Sequence, residues 1–147
     1  MIETIKTLCR LPGPSGWEDA VRDWIAAEAA PYADQMITDA QGSLLVFKKG
    51  RSTPKEPVLL AAHMDEVGVV IREIDDEGYL RFGFLGGVDR RVVIGKRVWI
   101  GKDRIPGLIG MKPIHLTTAD ERKTMPKLKD LYIDIGAADG DEARGLV

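Results

Sequence analysis

This sequence has one cysteine, two histidines and no long apolar run. A lone Cys9 excludes an intrachain disulfide, so no covalent bridge closes the fold. Cys9 shares a helical stripe with Ile2, Ile5 and Leu8 and reads as a buried thiol, compatible with a reducing cytoplasm. No apolar run approaches the roughly 20 residues that cross a bilayer. The N-terminus carries Glu3 and lacks an apolar stretch of secretory-signal length. Lys and Arg number 21 and Asp and Glu 23, for a net charge of −2. A basic stripe of the kind that binds nucleic acid is therefore missing. The longest basic cluster, KKGRSTPK at 48–55, reads as a solvated loop between two strand-like runs. These absences point to a soluble cytoplasmic chain with neither nucleic acid nor membrane as partner.

The 147 residues suffice for one domain with a real core or for two small lobes. Residues 2–9 have helical spacing, and LPGPSG at 11–16 stops them. Ser15 followed by Glu18 has the S-x-x-E form of a capping box. Trp17, Ala20, Val21, Trp24 and Ile25 then recur on one face, which predicts a helix from about Trp17 to Ala30, ended by Pro31. From residue 35 the period changes. QMITD and SLLVFKK flank a turn at 39–43 and predict a hairpin. PVLLAAH at 57–63 is apolar on successive residues, as in a strand covered on both faces. Beyond residue 67 come short, glycine-punctuated strand candidates, with DDEG at 75–78 as a hairpin turn and no convincing amphipathic helix before residue 136. That texture suggests a small barrel or sandwich. The chain is thus expected to divide near residue 70. Its last stretch, DIGAADGDEARGLV, reads as a strand followed by a helix or turn.

Four groups of residues could carry chemistry. His63 and Asp65 lie two apart, so in an extended chain they share a face. At a strand's carboxyl end that face opens toward the crevice where α/β sheets bind ligands. A metal-bound imidazole commonly gives its second N–H to a carboxylate. A hydrogen-bonded structural histidine fits the same spacing, and both readings stand at this point. His115 has no zinc-like spacing around it and reads as a loop histidine. PGPSGWE at 12–18 lacks the phosphate-loop pattern and reads as a capped helix entry. The pairs Asp75–Asp76 and Asp120–Glu121 read as turn residues and solvated charge.

Taken together, GPSGWE, LLAAHMDEVGVVI, GYLRFGFLGGVDRRVVIGKRVWI, GLIGMKPIHL, ER and LYIDIGA occur in an order and spacing that cover nearly the whole chain. The set resembles the deblocking, or tetrahedral, glutamyl aminopeptidases. These are co-catalytic metallopeptidases, often mislabelled endoglucanase or cellulase. The resemblance implies an α/β peptidase domain, here residues 1–70, and a β-rich, barrel-like insertion, here 71–147, both incomplete. The insertion is implicated in dimerisation and in hollow tetrahedral dodecamers. On the family's pattern His63 is the first metal-binding histidine and Asp65 orients it. An intact member holds two divalent ions, zinc or cobalt, and removes N-terminal residues from peptides. Its bridging aspartate, glutamate base, other carboxylate ligands and second histidine lie downstream of the insertion, and His115 does not match that histidine. The 147 residues are therefore expected to be an inactive N-terminal portion that binds no metal tightly. The alternative is a non-catalytic remnant acting through self-association or through binding to intact subunits. On the family's pattern the specificity pocket is largely built by the downstream part. Cleavage, or a reading frame shortened at Val147, would each account for such a portion.

Overall fold

Helix-stopping and turn-forming residues set the element order. A computed structural model of the chain describes residues 1–52, 56–119 and 123–147. Thr53, Pro54 and Lys55 of the basic cluster lie outside the described residues. So do Asp120 and the ER pair Glu121–Arg122. The chain forms two compact units, Met1–Glu66 and Val67–Val147.

The first unit opens with α1 (Ile2–Leu8). Cys9 caps this helix and is exposed, contrary to the expected buried thiol. A seven-residue helix with no buried residue has no core to hide a thiol in. Helix α2 runs Asp19–Ala29 and passes into a 3-10 turn at Ala30–Tyr32 that contains Pro31. It starts two residues later than expected, since Pro14–Trp17 form a turn of their own, with the Trp17 amide donating to the Pro14 carbonyl at 2.8 Å. The expected capping box is therefore not formed: Glu18 is the N-cap and no side chain caps it. Val21 faces inward, Trp24 and Ile25 are half-buried, and Trp17 is exposed.

Strands β1 (Gln35–Thr38) and β2 (Leu44–Phe47) form the expected antiparallel hairpin. Asp39 closes it, its Oδ1 accepting from the Gln41 and Ser43 amides at 2.9 Å. Residues 57–63 differ from expectation. Among the described residues they join no strand, and Val58, Leu59 and Leu60 are 88, 88 and 91 % exposed. A strand exists only by lateral pairing, and no described strand lies alongside to pair with this run.

The second unit holds the core. Strands β3 (Gly68–Ile74), β4 (Leu80–Leu85), β5 (Arg97–Ile100), β6 (Ile105–Met111) and β7 (Leu131–Asp134) form one antiparallel sheet, ordered β3-β4-β7-β6-β5. It curls into the barrel-like form expected from the closely spaced strands. The DDEG turn closes β3 onto β4, with the Gly78 amide donating to the Asp75 carbonyl and Gly78 at φ +87°. Ile133 sits opposite Leu80 on one side and Ile109 on the other. Together with Phe82, Ile100 and Leu131 they make the core, and Ala143 of α4 (Gly140–Leu146) packs onto it. At Gly110, a Cβ would lie 2.5 Å from the Tyr132 ring across the ladder. The only α-helix between residues 67 and 136 among the described residues is α3 (Arg90–Val93), four residues long. Asp89 caps it, accepting from the Arg91 amide at 2.9 Å and from the Arg91 guanidinium at 2.6–3.1 Å.

Two outcomes follow from this packing. Ile133→Ala removes a fully buried side chain between two others and should lower stability by about 2–5 kcal/mol, read by urea unfolding. A loss well below that range would show that the sheet collapses around the gap. Hydrogen bonds from the Arg91 guanidinium, then from its amide, hold the Asp89 carboxyl at about 2. Folding therefore favours ionised Asp89. That contribution is complete above the ordinary carboxylate range near pH 4 and is lost as pH falls through about 2. A 13C titration should place the Asp89 midpoint there, and Arg91→Ala should raise it. An ordinary midpoint in the unsubstituted chain would refute the assignment.

Candidate functional site

The candidate residues of the first unit meet where two loops run side by side. Pro14, Ser15, Gly16 and Trp17 make a tight turn, with Gly16 at φ +87°. A positive φ at the third residue, which favours glycine, is what a type II turn demands. Glu18 reinforces it, its Oε1 accepting from the Gly16 amide at 2.8 Å. The second loop is the end of the extended stretch, Met64–Glu66. The Glu66 amide donates to the Gly13 carbonyl at 2.8 Å, and Pro14 and Glu66 form a parallel bridge. Gly13 is buried there, and a Cβ on it would meet Val21 at 2.8 Å. Only glycine lets the loop pass this close to α2.

This clamp brings three side chains together. His63 Nδ1 lies 3.0 Å from Asp65 Oδ1 and 3.1 Å from the Asp65 carbonyl. Both oxygens can only accept, so in the neutral ring Nδ1 carries the hydrogen and Nε2 keeps its lone pair. The His63 side chain is 86 % exposed. Asp65 Oδ2 accepts from the Ser15 hydroxyl at 2.6 Å. That bond, and after it the bond to His63, holds the Asp65 carboxyl below its usual range. Ser15 was missed as a site residue because the S-x-x-E pattern explained it as a cap. The available signal was the Pro-x-Gly turn, which leaves a hydroxyl at its tip without a helix to cap.

Two hollows flank the trio. A small one of about 120 Å³ lies among Leu8, Leu11, Val21, Ile25 and His63. A polar groove of about 460 Å³ runs from Asp65 past Gly16 and Arg22 to the Asp39–Ser43 turn. Arg22 is matched by Asp19 at 2.6 Å and Asp23 at 3.0 Å, so the groove has no spare cation from it. His115 is exposed in a 3-10 turn, Ile114–Leu116, of the second unit. Among the described residues no three His, Cys, Asp or Glu side chains are grouped to hold a metal ion. The residues present thus do not fit a complete metal site. Nor, among those residues, is any helix long and apolar enough to cross a membrane.

Comparison with known proteins decides the family. Residues 42–147 match the M42 glutamyl aminopeptidase family. This chain belongs to that family. Among relatives of the M42 chain, a lysyl aminopeptidase of Pyrococcus furiosus is 32 % identical, over 98 % of this chain and 42 % of its own length. A TET aminopeptidase from a marine sediment archaeon of the Thaumarchaeota has a TM-score of 0.89 at 39 % identity, covering 99 % of this chain and 41 % of that one. The TET1 peptidase of Pyrococcus horikoshii, which can assemble into a tetrahedron or a large octahedral shell, has a TM-score of 0.83 at 40 % identity, covering 99 % of this chain and 43 % of that one. The M42 chain therefore spans about two fifths of the length of the relatives it matches.

Proposed function

We propose that these residues are the amino-terminal portion of a metal-dependent aminopeptidase that removes N-terminal residues from peptides. On this reading the first unit, with the start of the following strand, corresponds to peptidase residues 1–70. The β-rich remainder, 71–147, is the insertion. His63 supplies one metal ligand through Nε2, and Asp65 orients the ring from Nδ1. The observation that carries the reading is the His63–Asp65 pair in a chain of this family, with the ring's lone pair directed away from its carboxylate partner. Zinc takes three or four protein ligands in such sites. One imidazole cannot hold it tightly, so the further ligands, the general base and the second ion, zinc or cobalt, lie outside these residues. The reading also places the protein in the cytoplasm, where the exposed Cys9 stays reduced.

The 147 residues alone should not turn over leucine or glutamate p-nitroanilide, with or without added zinc or cobalt. Metal-stimulated hydrolysis by mass-verified chain would overturn this. His63→Ala should abolish whatever weak zinc binding calorimetry detects in the unsubstituted chain. Weak binding that survives the substitution would remove His63 from the ligand set.

A second reading is favoured by a specific observation, the exposure of Val58, Leu59 and Leu60 in a run that joins no strand among the described residues. Such a segment is a template for strand pairing, so the chain acts by associating with itself or with intact subunits. Light scattering across the micromolar range should then show oligomers that grow with concentration. A strictly monomeric species would sink this reading.

A further inference from the structure

We propose that Ser15 is a positioning residue: its hydroxyl holds the Asp65 carboxylate in the one orientation that keeps the His63 ring aimed by Nδ1. The inference deepens the reading of His63 and Asp65 given above and rests on it. Three observations carry it. The Ser15 hydroxyl donates to Asp65 Oδ2 at 2.6 Å, while Oδ1 of the same carboxylate faces His63 Nδ1 at 3.0 Å. With its two oxygens engaged by different partners, the carboxylate cannot rotate without breaking one bond. A lone partner would leave it free to swing about its terminal torsion, which is broad for Asp. Asp65 is not buried, so neighbouring packing does not replace this restraint.

The second observation is that backbone contacts already hold the turn. The bond from the Trp17 amide to the Pro14 carbonyl, the positive φ of Gly16 and the Glu18 contact to the Gly16 amide all persist without a hydroxyl at position 15. The third is that the two loops are also clamped by backbone, through the Glu66 amide and the Gly13 carbonyl. The hydroxyl is thus not required to build the turn or to join the loops. What it adds is the direction of one carboxylate. The chemistry is a relay from Ser15 to Asp65 to His63 that acts beside the Asp65 carbonyl, 3.1 Å from Nδ1, in setting which ring nitrogen presents a lone pair.

Long-range 1H–15N NMR of the full chain, at a pH where His63 is neutral, tests this. In the unsubstituted protein the Nδ1–H form should dominate. Ser15→Ala should raise the Nε2–H fraction about fivefold, the scale that one ordinary net hydrogen bond sets. Ser15→Thr, which keeps the hydroxyl, should restore the original ratio. Gly13 and Glu66 amide signals should stay in place throughout, which a merely structural role would not allow. Should alanine unsettle the turn, Ser15→Cys, close in size with a weak S–H donor, should shift the ratio in the same direction. Asp65→Ala separates the two levels. If Asp65→Ala shifts the ratio and the Ser15→Ala and Ser15→Cys variants do not, Ser15 has no positioning role and the His63–Asp65 pair stands. If no variant shifts it, the Asp65 carbonyl, 3.1 Å from Nδ1, fixes the tautomer by itself, and both the Ser15 role and the carboxylate's orienting role are refuted.

Discussion

The hydrogen bond from the Glu66 amide to the Gly13 carbonyl is the contact on which the candidate site depends. The two residues are 53 positions apart, and neither lies in a regular element that would fix it otherwise. The bond brings the Pro14–Trp17 turn against the stretch that carries His63 and Asp65. Gly13 permits the approach because any side chain there would collide with Val21. Remove the clamp and Ser15 is no longer brought to Asp65, leaving only the local contact between His63 and Asp65. With it in place, they form a chain of donors and acceptors in which each group has one role.

The same constraint, that an extended backbone needs partners, separates the two units. In the second unit every strand has a neighbour, and Leu80, Leu131 and Ile133 are almost wholly withdrawn from water. In the first, a short hairpin and two helices bury Val21 fully and leave Val58, Leu59 and Leu60 in solvent. Each strand of the second unit's sheet has a hydrogen-bonded neighbour, with β3 and β5 at its edges. The run that leads to His63 has no such neighbour among the described residues. A site-bearing loop sits at the end of a segment whose own strand partners are not among the described residues.

Much of this was legible beforehand. The hairpin around Asp39, the DDEG turn and the strands of the second unit are written in alternation and in turn residues, which act over a few positions. The family was legible from several short motifs in order, and so was the pairing of His63 with Asp65. The exposure of Cys9 and of residues 57–63 was not. Apolarity says what a residue would prefer to bury, and whether anything covers it depends on neighbours far along the chain. Ser15 was misassigned for a related reason. Its local pattern allowed a cap, and the choice between a cap and a long-range partner fell to a carboxylate 50 residues away.

The sequence by itself therefore determined the hairpin, the turns and the strands of the second unit, the family, and the spacing that lets residues 63 and 65 pair, because each rests on near-neighbour chemistry or short motifs. Only the tertiary structure decided that Ser15 joins them, which ring nitrogen of His63 carries the hydrogen, and that the second unit alone closes a core. Those outcomes turn on which donors meet which acceptors across more than 50 residues, and on which strands find partners, and no local pattern encodes either.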